Sequence, residues 1–187
     1  MTVKTEAIKF DLDTPGAKRK VIIFFIKLAV IFTLWFGIYG QVLAPRRTID
    51  KPLTHFISVS VLYCVNLIPD DAPFTLGTNL PERYYNLIRN NISILRIYDS
   101  CNCINIMFTY VAVIIALPNP LKRKLLFILA GLAAIIIADI LRIIILLYVY
   151  LHFKSAFHFS HDYLFTILID LLVLYCWMLF THKKSVL

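Results

Sequence analysis

The sequence predicts an all-α integral membrane protein, with about four transmembrane helices and an extracytoplasmic insertion that holds a short helix and a strand. Of its 187 residues, 60% are hydrophobic and 16% charged, against roughly 45–50% apolar in a soluble domain. Several apolar runs approach or exceed the ~18–20 residues that cross about 30 Å of hydrocarbon. The basic residues gather in short clusters beside those runs, the pattern that orients membrane proteins.

Residues 1–20 read as a cytoplasmic N-terminus, closed by the collar Lys18, Arg19 and Lys20 ahead of the first span, 21–43. No cleavable signal peptide is expected, because this first apolar run is too long for an h-region. Trp35 and Tyr39 near its far end suit an aromatic belt, and Lys27 lies close enough to the cytoplasmic end to snorkel. The character changes over residues 45–100, where Pro45, Pro52, Pro69, Pro73 and Pro81, with Asp70, Asp71 and Glu82, mark turns and a solvated region. Within it, 53–68 is apolar and helical, yet about 16 residues is short for a crossing. Residues 91–98 read as a strand, since Ile92, Ile94, Leu95 and Ile97 partly alternate with polar neighbours. Two further spans, 104–117 and 125–150, flank a turn at Pro118, Asn119 and Pro120; Lys122, Arg123 and Lys124 make 118–124 a cytoplasmic hairpin. The last span, 163–180, runs into His182, Lys183 and Lys184, so the tail 181–187 is also cytoplasmic.

Orientation decides the number of spans. Were 53–68 to cross, one or two of the basic clusters would stand outside; four spans put all three inside. Residues 45–100 therefore lie on the outer face, with 53–68 on the interface or dipping into it. Cys101 then sits at the outer mouth of the second span. Arg142 lies about 18 residues beyond Lys124, roughly 27 Å along a helix, and so reaches the same level. His161 precedes the descent of the last span, and the three residues meet near one surface.

These are the groups with chemistry to offer. A charge at Arg142, in an otherwise apolar stretch, costs at least a few kcal/mol unless it is paired or wet. Its nearest helical partner is Asp139, three residues earlier. An intramembrane ion pair that only locks packing is one reading of Arg142. A guanidinium that favours a nearby thiolate at Cys101 is another. For Cys101 itself the alternatives are a Cys101–Cys103 disulfide or an inert helix-end thiol, and four cysteines are too few for a disulfide framework. Of His152, His158 and His161, any could move protons near neutral pH. Cys101, Cys103, His158 and His161 could also supply zinc ligands, although their spacings are not strong zinc signatures and no H-E-x-x-H occurs. The formal charge of +8 lies in membrane-flanking clusters, so no nucleic acid is expected as a partner. No G-x-S-x-G elbow, P-loop or dinucleotide fingerprint is present, which removes the usual serine hydrolase, ATPase and dehydrogenase readings.

The order Cys101, Arg142, His161, each at the outer edge of a span, resembles the exosortase/archaeosortase family, and within it the small exosortase F type. The likeness rests on Asp99-Ser100-Cys101-Asn102, on Asp139-Ile140-Leu141-Arg142-Ile143, and on His161 between Phe159 and Tyr163. It extends more weakly back through Arg47-Thr48-Ile49-Asp50. The resemblance implies a cysteine protease or transpeptidase of the bacterial inner membrane, with its active site on the extracytoplasmic side. Its partners would be the bilayer and exported proteins bearing a C-terminal motif, a transmembrane helix and a basic tail. Cys101 would attack the scissile carbonyl, His161 would handle protons, and Arg142 would stabilise thiolate or oxyanion, with Asn102 and Asp139 in support. No cofactor and no metal are implied. The chain departs from the family pattern at Cys103, where a small residue is usual, and at Asp139, where Asn is frequent. Cys103 could close a reversible disulfide on Cys101.

The rival function is a non-catalytic membrane assembly or transport component, held together by Asp139 and Arg142. A zinc-dependent membrane hydrolase is a third reading, and it would need Cys103 and His158 as much as Cys101 and His161.

Overall fold

The computed structural model describes residues 15–67, 72–79, 82–157, 160–161 and 165–182. The expectations for 1–14, Pro69, Asp70, Asp71, Pro81, His158, Phe159, Tyr163 and 183–187 lie outside the described residues. Among the described residues, two helices are long and apolar enough to cross a membrane, Lys18–Arg46 and Leu121–His152, and two shorter apolar stretches are Ile104–Ala116 and Ile167–Thr181.

Helix α1, Pro15–Ile38, continues through a π-helical stretch, Tyr39–Leu43, and a last turn, Ala44–Arg46. Pro45 accounts for the irregularity: it has no N–H to return to the preceding turn, and its ring crowds the carbonyl four residues back. The widened turn instead bonds Ala44 N–H to Tyr39 O. α1 exposes Ile22, Phe25, Ile26, Val30, Leu34 and Phe36, and it touches the bundle by aromatic contact. Trp35 stacks on Phe108 at 4.2 Å, with Phe32 edge-on to the same ring at 5.3 Å.

Helix α2, Asp50–Asn66, buries Thr54, Ile57, Ser58 and Val61, one face at helical spacing. Phe56, Val59, Tyr63 and Leu67 form an exposed apolar stripe. Next come β1 Thr75–Asn79, β2 Tyr84–Arg89 and β3 Ile92–Tyr98, an antiparallel sheet in the order β1-β2-β3. Asn90 and Asn91 join β2 to β3 at φ 52° and 61°. Two residues with positive φ make the turn whose twist matches a hairpin, and Asn is among the side chains that tolerate it best. The chain is mostly helical, as expected. A strand falls where 91–98 predicts one, and it belongs to a three-stranded sheet whose other two strands the all-α reading does not include.

Helices α3, Ile104–Ala116, α4, Leu121–His152, and α5, Phe165–His182, form the bundle. Met107, Tyr110, Ile114, Ile135, Ile169, Val173 and Phe180 make its core. Arg123 crosses to donate to Phe180 O at 2.6 Å. The expected hairpin 118–124 is shorter than predicted, because α4 already begins at Leu121 behind Pro120, whose fixed φ suits a helix entry. At 32 residues, α4 is about 48 Å long, beyond the ~30 Å of a hydrocarbon core. Its second half packs on the insertion: Ile143 and Leu147 join Ile57 and Val61 of α2 and Leu87 and Ile97 of the sheet in a separate core. The insertion is thereby fixed to the helix that carries Arg142.

Candidate active site

Cys101 ends a 3-10 turn, Asp99–Cys101, between β3 and α3. Side chains distant in sequence brace that turn. Asp99 accepts from Arg47 Nε at 2.6 Å, from Arg47 Nη2 at 2.9 Å and from Thr54 Oγ1 at 3.0 Å. The two-pronged ion pair is only 12% and 15% exposed, the charge-assisted arrangement that contributes most. Its hydrogen bond raises the Arg47 pKa above the ordinary guanidinium value. Arg47 presents its side chain from a left-handed residue at φ 53°, with Thr48 N–H returning to Leu43 O and Arg47 N–H to Ala44 O. That is a Schellman ending with arginine where glycine is usual.

Asn102 is 1% exposed. Its Nδ2 donates to Asp50 Oδ1 at 3.1 Å and Thr54 Oγ1 at 3.3 Å, while its Oδ1 accepts from Ile104 N–H at 3.1 Å. One side chain thus starts α3 and ties it to α2. Tyr39, at the π-helical turn, donates to the same Asp50 oxygen at 2.8 Å.

Cys103 sits at φ 54°, so the backbone reverses between the two cysteines. Its buried thiol donates to Asp139 Oδ1 at 3.1 Å. Burial, and then the neighbouring Asp139 carboxylate, push the Cys103 thiol above the ordinary thiol range. Both cysteines are free thiols. Arg142 Nη2 lies 2.9 Å from Asp139 Oδ1 and donates to the backbone O of Cys101 at 2.7 Å. Arg142 Nε and Asp139 Oδ2 are buried without a hydrogen-bond partner among the described residues.

Cys101, Arg142 and His161 line one cavity of about 500 Å³. Residues 93–98 form one wall, and Ile143, Leu146 and Tyr150 of α4, with Phe157, form the other. The His161 ring is stacked with Phe157 at 5.9 Å. His152 lies away from this cavity and borders another, with Val65, Phe74 and Arg89. Ser100 and Arg142 also line a second cavity of about 480 Å³, which holds Tyr39, Asp50, Asp99, Asn102 and Cys103. Arg142 therefore stands between a thiol chamber and a more polar one. Among the described residues, no three His, Cys, Asp or Glu side chains cluster as metal ligands, and His158 lies outside them.

A family model described as transmembrane exosortase matches residues 21–180. The chain belongs to the transmembrane exosortase family. This exosortase is a membrane protein, and its family is a class of membrane transpeptidases for sorting signals. No curated protein and no solved structure matches the chain.

Sequence reasoning misses the brace beneath the exosortase's cysteine. Arg47 and Asp99 are 52 residues apart, and no local periodicity links them. Asp50 and Thr54 share a helical face, but nothing in the sequence says that Asn102 folds back onto it.

Proposed function

We propose that this exosortase is a cysteine peptidase/transpeptidase that cleaves the C-terminal sorting signal of exported proteins and transfers them to a cell-envelope acceptor. The observation that carries this reading is the common cavity of Cys101, Arg142 and His161. In the proposed reaction the Cys101 thiolate attacks the scissile carbonyl, giving a tetrahedral oxyanion and then a thioester. His161 takes the thiol proton and returns it to the leaving amine. Arg142, which lines the same cavity, supplies positive charge and a guanidinium donor for the oxyanion. Arg142's bond to the Cys101 carbonyl holds the nucleophile's backbone in place. An acceptor amine, hydroxyl or water then attacks the thioester and regenerates the thiol.

The proposal includes four spans, with residues 45–100 on the extracytoplasmic side of a bacterial inner membrane, and the small exosortase F type. The apolar stripe Phe56, Val59, Tyr63 and Leu67 of α2 suits a helix lying in the interface. Substrates in this reading carry a short motif, a transmembrane helix and a basic tail.

The test labels oriented vesicles with a membrane-impermeant thiol reagent and follows sorting-signal cleavage in the same cells. Labelling of Cys101 from outside, with cleavage lost in Cys101→Ala at normal protein abundance, is the expected result. Cleavage that survives Cys101→Ala, or labelling only from the cytoplasmic side, sinks it.

A further inference from the structure

We infer that the substrate is held as an added β-strand on the open edge of β3; this rests on the thiol-peptidase reading above. In the order β1-β2-β3, β3 pairs with β2 on one side, and no described strand pairs with its other side. Along a strand, successive side chains point to opposite faces. A cavity lying against a face would be bordered by alternate residues. The Cys101 cavity is bordered by residues 93–98; a register shift leaves Ile94 unmatched, but from Leu95 to Tyr98 the register is regular, and these four consecutive lining residues place the cavity along the strand's edge, where backbone is on offer.

The ladder identifies which backbone groups those are. Asp99 N–H bonds Arg83 O at 3.2 Å, one pair beyond the Tyr84↔Tyr98 register. Hydrogen-bonded and non-bonded pairs alternate in an antiparallel ladder. Tyr98 and Arg96 therefore aim their N–H and C=O groups away from β2, towards the open edge. Such a row of unpaired donors and acceptors is what an extended peptide completes, with main-chain bonds giving affinity and pockets for alternate side chains giving selectivity. The opposite wall from α4 is apolar at Ile143 and Leu146 and shields those bonds from water. Three residues beyond Tyr98 the chain reaches Cys101, so a peptide of about six residues on this edge, roughly 20 Å long, is delivered with a carbonyl at the thiol. The occupant is thus an extended stretch of polypeptide recognised first by its backbone.

The full-length protein in proteoliposomes tests this with a penta-alanyl vinyl sulfone. The Cys101 thiolate adds to its terminal vinyl carbon, and the adjacent carbon takes up a proton. Two further versions carry N-methyl groups on alternate amides, one set on the odd and one on the even positions, and iodoacetamide serves as a reagent with no peptide. One N-methyl set is expected to slow Cys101 modification at least about tenfold, and the other to change it less than about threefold, since one face of a paired strand carries the inter-strand bonds. Arg96→Pro, which removes an outward N–H at a position where an edge strand tolerates proline, should lower the ratio of the peptide rate to the iodoacetamide rate by about as much. Equal rates for the two N-methyl sets overturn the inference, and they are read on the wild-type protein should Arg96→Pro not fold. A Cys101 that neither the peptide nor iodoacetamide modifies ends the thiol mechanism and this inference together. A Cys101 that reacts with iodoacetamide, and with both N-methyl sets alike, removes only the strand.

Discussion

Arg142 reaches Cys101 through the backbone: its Nη2 donates to the Cys101 carbonyl at 2.7 Å and lies 2.9 Å from Asp139 Oδ1. One guanidinium therefore joins a buried carboxylate, the Cys101 main chain and both cavities. Its structural and chemical roles can be separated by mutation. Arg142→Ala leaves Asp139, 0% exposed, without its cation, a loss of about 3–5 kcal/mol for a broken buried pair. Abundance and thermal stability are expected to fall. Adding Asp139→Asn should restore much of the stability, because no buried charge then remains, while cleavage stays lost. Recovery of cleavage in Arg142→Ala/Asp139→Asn would assign the arginine to packing alone.

Cys101 and Cys103 should differ sharply towards alkylating reagents. Cys103 is 7% exposed and bonded to Asp139, and its raised pKa keeps it a neutral thiol through the range from about pH 7 to 9. Cys101 lines an open cavity. Peptide mapping after iodoacetamide at pH 7, 8 and 9 should find the label on Cys101 and almost none on Cys103. Comparable labelling of Cys103 at pH 8 would mean that its thiol is not buried against Asp139. Cys103→Ala removes a weak thiol donor while Arg142 stays beside the Asp139 carboxylate, so cleavage should be retained within about threefold.

Arg47 and Asp99 set the turn that carries Cys101, although neither lines the thiol cavity. Arg47→Lys keeps the charge but cannot make the two-pronged contact. It should lower stability by about 1–2 kcal/mol, in line with a charge-assisted bond lost, and reduce the rate of Cys101 modification by a peptide electrophile more than that by iodoacetamide. The pH dependence follows from the sign of the shift. A raised guanidinium pKa contributes its stability fully below the unfolded guanidinium value and loses it only as pH rises through the folded one, far above neutral. The difference between Arg47→Lys and wild type should therefore stay flat from about pH 6 to 9. A difference that disappears within that window assigns the effect to another group.

What the sequence makes legible here, and what it hides, follows from range. Asp139 and Arg142 lie three apart on one helix, so their pairing is visible in the spacing. The strand at 92–98 shows through its β-branched residues, whereas β1, Thr75–Asn79, carries a single large apolar residue, Leu76, and gains its conformation from pairing with β2. The bond from Tyr39 to Asp50 depends on a π-helical turn forced by Pro45, which shifts the helix face by a fraction of a turn. No fixed period foresees that rotation. The Arg47–Asp99 contact has no local signature at all, because it joins two ends of the insertion 52 residues apart.

Gly131 leaves no room for a side chain: an added Cβ would fall on the ring and hydroxyl of Tyr110. Tyr110 is fully buried and donates to Phe127 O at 2.7 Å, so it cannot swing aside without leaving that bond and the core. Gly131→Ala would raise helix propensity in α4 by about 1 kcal/mol, yet overpacking typically costs about 1–3 kcal/mol and displacing Tyr110 also strands its hydroxyl. The net effect should be destabilising. Thermal unfolding in detergent should show a lower midpoint for Gly131→Ala, and Gly131→Ala/Tyr110→Leu should recover part of the loss, because the shorter side chain vacates the space that the new methyl needs. A Gly131→Ala protein as stable as wild type would mean that α3 and α4 can separate at this point, and the tight packing of the two helices beneath the site would have to be given up.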